Sequence, residues 1–241
     1  MKLLVCNIGI IFILFFVTGS YSGAEEHGRA YFEKTGDVIW DIKAEEKVIA
    51  LTFDDGPHSV YTPQILDVLA KYNAKATFFV IGEHAKKFPH LISREKNEGH
   101  EIANHTYTHS YSNQDKLEEE LRKTDEVIYN ITGAYPLFYR PIGGEYNERI
   151  VNTAVQQGFR VIMWSWHQDT QDWKRPGVNK IVSKVLSGAR PGDIVLFHDA
   201  GGDRSQTVEA LQDILPALKK EGYTFVTVSE LLQRTGIEVF N

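Results

Sequence analysis

From residue 47 onward, short apolar runs rich in Val, Ile, Phe and Tyr alternate with helical stretches, and this alternation limits the fold more than any other feature. VIALTFDD (48–55), ATFFVI (76–81), HEIANH (100–105), PLFYRP (136–141), FRVIMWSW (159–166), DIVLFHD (193–199) and YTFVTV (223–228) read as seven strands. Thr62-Pro63 opens a helix to Tyr72, with Thr62 as N-cap. A helical stretch containing Pro89 stops at Gly99, and 114–131 places Leu117, Leu121, Val127 and Ile128 on an inner face. Further helices are expected near 147–157, 177–187, 204–220 and in SELLQR (229–234). Near-continuous apolar strands joined by helical crossovers form a parallel sheet covered by helices. The expectation is a single α/β domain, a closed or nearly closed β/α barrel, with an open doubly wound sheet as the alternative. No glycine-rich phosphate fingerprint opens any of the helices.

The front of the chain reads differently. Lys2 precedes an apolar run from Leu3 to Val17, shorter than the roughly 20 residues of a spanning helix, and Ser22-Gly23-Ala24 follows. This is the pattern of a signal peptide over 1–24, cleaved after Ala24; the alternative is an uncleaved anchor. The only cysteine, Cys6, lies inside that run, so neither a disulfide scaffold nor a cysteine-rich zinc module is open to the chain. Residues 25–46 are polar without a clear period and read as a linker leading into the domain, 47–235 as the domain, and 236–241 as a tail. A net charge of −6 argues against nucleic acid as a partner, because phosphate binding needs a concentrated basic face. The expected location is outside the cell or at its surface and wall. Membrane contact is expected only through the leader, and the protein is expected to be a monomer.

Active sites of parallel β/α folds lie where strands end. Here the strands end in Asp54-Asp55, Asn104-His105, Arg140 and His198-Asp199, and the fifth runs on to Asp169 and Asp172-Trp173. His105 and His109 have i, i+4 spacing, and two His with one carboxylate suit Zn²⁺ while leaving positions open. Consecutive carboxylates at 54 and 55 could cap the next segment. A metal explains them better, since one ligates and the other takes a proton from water. Glycosidase chemistry fits less well, because its two carboxyls flank the scissile bond. Arg140 offers a bidentate clamp for a carboxylate. Asp172 is placed to set the tautomer of His198 and raise its pKa. Trp173 is placed to face a sugar ring.

These motifs resemble those of the polysaccharide deacetylases of the NodB-homology type, over about Val48 to Leu232. The family patterns stand here as Thr52-Phe53-Asp54-Asp55-Gly56, His105-Thr106-Tyr107-Thr108-His109, Arg140-Pro141-Ile142-Gly143-Gly144, Asp169-Thr170-Gln171-Asp172-Trp173 and Leu196-Phe197-His198. The third departs from the common Arg-Pro-Pro-Tyr-Gly, so Ile142 and Gly143 replace a Pro and a Tyr that usually walls the pocket. The resemblance implies a distorted (β/α)7 barrel. It implies Asp55, His105 and His109 as ligands of one divalent metal, zinc first, with cobalt or nickel as alternatives. Asp54 is then the general base, His198 the general acid, and Leu196 lines the acetyl pocket. The Gly143 backbone N–H becomes an oxyanion donor, and alanine at 143 is tolerated only if φ there is negative. The implied reaction is hydrolysis of N-acetyl groups on N-acetylglucosamine units of an extracellular polysaccharide, peptidoglycan first and chitin or its oligosaccharides second. Two other classes share parts of this pattern: a non-haem Fe(II) oxygenase with the same three ligands, and a non-catalytic module that binds cell-wall glycan.

Overall fold

The computed structural model describes residues 27–239. The expected signal peptide and Cys6 lie outside the described residues. The strands are β1 (Val38–Ile39), β2 (Val48–Asp54), β3 (Thr77–Val80), β4 (Glu101–Asn104), β5 (Phe138–Tyr139), β6 (Arg160–Ile162), β7 (Ile194–His198) and β8 (Thr224–Val226). The helices are α1 (Arg29–Thr35), α2 (Tyr61–Lys71), α3 (Gly82–Lys87), α4 (Pro89–Asn97), α5 (Leu117–Thr132), α6 (Glu148–Gln156), α7 (Val178–Gly188), α8 (Ser205–Lys220) and α9 (Val228–Arg234).

All pairings are parallel, in the order β1-β6-β5-β4-β3-β2-β7. The first half of β2 pairs with β8 (Val48 opposite Thr224) and its second half with β3 (Thr52 opposite Thr77). The sheet curls far enough that irregular chain bridges its ends: the Ser165 N–H donates to Ile194 O at 2.9 Å, and Asp169 bridges to Leu196. This is the expected distorted barrel.

Side chains alternate across a strand, and the two core clusters follow that period. Ile49, Leu51 and Phe53 of β2, Phe78 of β3, and Val195 and Phe197 of β7 pack outward against the helices. Phe53 stacks between Phe78 and Phe197, at centroid distances of 5.1 and 5.5 Å. Each such buried ring contributes about 1.5–3 kcal/mol. Val48, Ala50, Phe79, Ala103, Phe138, Ile162 and Ile194 form the second cluster, inside the curl, where α9 adds Val228, Leu231 and Leu232. Continuing each inward series by two residues gives Thr52 and Asp54, His105, Arg140, Leu196 and His198. The interior is apolar where strands begin and polar where they end.

Three local expectations are corrected. Of the expected linker 25–46, the described residues 27–46 are not simply a linker: α1 packs Phe32 into a third cluster with Trp40, and β1 pairs with β6 as an eighth strand. A two-residue strand carries no readable period. The Pro89 stretch is two helices, because proline disfavours helical φ/ψ in the residue before it, and Phe88 sits at φ −127, ψ 56. Thr62 is not the N-cap. It lies inside α2, accepting from the His58 N–H at 2.7 Å and donating to Asp199.

Candidate active site

Register alone brings the two proposed proton carriers together. Asp54 of β2 is the direct partner of His198 of β7. Neighbouring strands lie about 4.8 Å apart, so both inward-facing side chains enter one cleft. That cleft, of about 400 Å³, is lined among others by Asp54, Asp55, His105, His109, Gly143, Trp173, Leu196 and His198. Arg140 and Asp172 lie behind this lining, fully buried.

Asp55, His105 and His109 place one ligand atom each within 4.8 Å of one another. Asp55 Oδ1 is 3.3 Å from His109 Nε2 and 3.6 Å from His105 Nε2. The backbone turns to achieve this: Asp55 has φ 76, Thr106 φ 71 and His109 φ 51. His105 Nδ1–H donates to the Arg140 carbonyl at 2.7 Å, which leaves the Nε2 lone pair facing Asp55. Burial, with the adjacent His109, pushes the His105 imidazole down to about 3, so it is neutral at pH 7. A neutral imidazole held by its far nitrogen, beside a carboxylate and a second imidazole, is a donor set that fits a divalent cation. His84 donates from Nδ1 to the Asp55 carbonyl at 2.7 Å and holds that turn in place.

Asp54 is held from behind. Arg140 donates one N–H to Asp54 Oδ1 at 2.7 Å, not the expected bidentate pair. Three further N–H donors go to Thr52 Oγ1 at 2.8 Å, Ile162 O at 2.9 Å and Met163 O at 2.7 Å. The guanidinium also lies 3.9 Å over the Phe79 ring. A planar fork spread over four acceptors cannot give two parallel bonds to one carboxylate, and Asp54 Oδ2 remains turned toward His105, 3.8 Å from its Nε2.

Asp172 follows the sequence expectation. His198 Nδ1–H donates to its Oδ1 at 2.7 Å, while the His198 N–H and Thr207 Oγ1–H donate to Oδ2 at 2.9 and 2.7 Å. Burial opposes charge on His198, but the bond to Asp172 and the Asp172, Asp54 and Asp55 charges outweigh it and push the imidazole up to about 9. His198 is therefore an imidazolium at neutral pH with Nε2–H free for the cleft.

Gly143 sits at φ 61 in a short turn after Arg140, and its N–H has no acceptor among the described residues. A free donor at the cleft wall agrees with an oxyanion role. The positive φ removes the expectation that alanine fits there. Trp173 is half exposed and Leu196 is buried at the floor. Sequence reasoning missed Tyr111, Arg204 and Trp164 as lining residues. Arg204 gave no signal beyond its distance of six residues from His198.

A triad able to hold a metal beside a buried carboxylate and a carboxylate-held imidazolium, at the end of a curled parallel sheet where its strands stop, fits a metal-dependent hydrolase. The chain belongs to the polysaccharide deacetylase family, whose model matches residues 41–162. A peptidoglycan-N-acetylglucosamine deacetylase of Bacillus cereus is 50% identical over 208 residues, 85% of this chain and 97% of that one. A chitooligosaccharide deacetylase of Rhizobium leguminosarum bv. trifolii is 40% identical over 211 residues, 81% and 96% of the two chains. A crystal structure of a peptidoglycan N-acetylglucosamine deacetylase superposes with a TM-score of 0.80 at 38% identity, covering 87% of this chain and 98% of that one.

Proposed function

We propose that this protein removes N-acetyl groups from N-acetylglucosamine units of peptidoglycan, giving acetate and glucosamine, with zinc as its metal. The pairing of Asp54 with His198 beside the Asp55–His105–His109 triad carries the reading. The 50% identity with the Bacillus cereus relative supports the substrate. A divalent ion held by the triad supplies Lewis acidity toward the acetamide oxygen and makes nearby water more acidic. Asp54 Oδ2 takes a proton from the attacking water, and the Arg140 N–H bonded to Oδ1 holds that carboxylate in place. The Gly143 N–H donates to the oxyanion that develops on the acetamide carbonyl. His198 Nε2–H protonates the departing nitrogen, so water and amide become acetate and amine. Trp173 offers a ring face to the sugar.

Export of the chain by its leader, with action at the cell wall, completes the proposal. The leader pattern supports it. The Rhizobium relative favours a second reading, deacetylation of chitooligosaccharides. Acetate release from purified peptidoglycan, chitopentaose and acetylxylan, measured side by side, separates them. Peptidoglycan should be the fastest of the three; faster release from chitopentaose selects the second reading, and no release from any glycan overturns both.

A further inference from the structure

The position that a Cβ at Gly143 would take lies 2.3 Å from the Tyr111 hydroxyl oxygen and 3.5 Å from Tyr111 Cζ. A side chain at 143 and the Tyr111 hydroxyl therefore compete for one place. Tyr111 begins the 3₁₀ turn two residues beyond His109, is 55% exposed, and lines the same cleft as Asp54, Asp55 and His198. Its hydroxyl has no partner among the described residues, and neither does the neighbouring Gly143 N–H. Two unused donors thus stand side by side on one wall. Among the described residues Tyr111 belongs to none of the three core clusters.

We propose that Tyr111 is a specificity-determining residue that contacts the substrate: its hydroxyl fills the place vacated at residue 143, closes that side of the acetyl pocket, and donates a hydrogen bond to the N-acetylated sugar beside the Gly143 N–H. This rests on the deacetylase reading. A phenol on a two-torsion side chain suits the task, giving a firm wall and a polar tip. The assignment also puts metal ligation and sugar recognition on one segment, 105–111.

The test uses the full chain with verified metal content, the N-acetylglucosamine tetramer as substrate, and calorimetric binding of that tetramer to the metal-free chain. Tyr111→Phe keeps the ring and removes the donor, and should lower kcat/KM and tetramer affinity by about threefold to tenfold. Tyr111→Ala should lose more, chiefly in KM. Gly143→Ala sharpens the result, because its Cβ meets the hydroxyl in the wild type but only Cζ, at contact distance, once Tyr111 is Phe. The strain of φ 61 is common to both backgrounds and cancels in the cycle, so Gly143→Ala should cost about threefold less in the Phe background. Wild-type kinetics and binding in Tyr111→Phe, or an equal cost of Gly143→Ala in both backgrounds, overturns the role of Tyr111. A wild type that releases no acetate from any glycan overturns the deacetylase reading instead.

Discussion

The two sides of the cleft are built on different principles. On the buried side, built from the ends of β2 and β5 and from Asp172 in the turn after β6, Asp54, Arg140 and Asp172 are almost wholly buried, and their bonds lock Asp54 and the partly exposed His198 in place. On the open side, Tyr111 and Trp173 are half exposed, His109 stands at positive φ, and the donors at Tyr111 and Gly143 have no partner among the described residues. Groups that move protons need fixed distances and tuned pKa values, which buried strands supply. Groups that recognise a polymer need access, which loops supply.

If the sides divide the work in this way, damage to the chemistry should abolish turnover and damage to the loops should weaken binding. Metal removal has the largest expected effect, since His105 and His109 span the two sides. Chelation should bring acetate release below detection and Zn²⁺ or Co²⁺ should restore it; full activity in a verified metal-free sample would break the metal assignment. Asp54→Asn comes next, lowering kcat by on the order of 10²-fold or more with metal content near normal. Loss of the metal in that variant would show that Asp54, not Asp55, is the ligand.

Asp172→Asn has a smaller and pH-dependent effect. His198 works as the imidazolium, so wild-type rates should fall as pH rises through about 9. Without the Asp172 charge, burial lowers the imidazole pKa and that limb moves toward neutrality. The rate ratio to wild type should then be about tenfold worse at pH 8 than at pH 6; an unmoved limb would remove Asp172 from the control of His198. Trp173→Ala should be mildest, raising KM by about threefold to tenfold with little change in kcat. A fall in kcat alone would place Trp173 with the chemistry.

The same division explains what was legible in the sequence. Asp54, His105, Arg140 and His198 each follow an apolar strand, and the alternation of strands with helices says that such tips gather at one end. The link from Asp172 to His198 was legible because both belong to segments entering that rim. The seating of Tyr111 over Gly143 was not, because it depends on how two loops fold back, and loop spacing carries no period. β1 escaped for a related reason: its two residues become a strand only by pairing with β6. The arginine clamp was legible as a partner for Asp54 but not in its geometry, since the carbonyls of Ile162 and Met163 that share the guanidinium come from a strand end whose approach no local pattern announces.

The forked pairing of β2 bears on how the chain is made. β2 ends in Asp54, the carboxylate proposed as base, yet β7 emerges about 140 residues after it, and at ~5–20 residues per second of synthesis the wait is roughly 7–28 s. During that interval one edge of β2 has no partner, and the β8 that completes its other edge comes later still. Contacts this distant in sequence close slowly. β2 is thus among the first strands to leave the ribosome and the last to be enclosed, and a nascent chain cut short before residue 194 has β2 without the neighbour that sets Asp54 opposite His198.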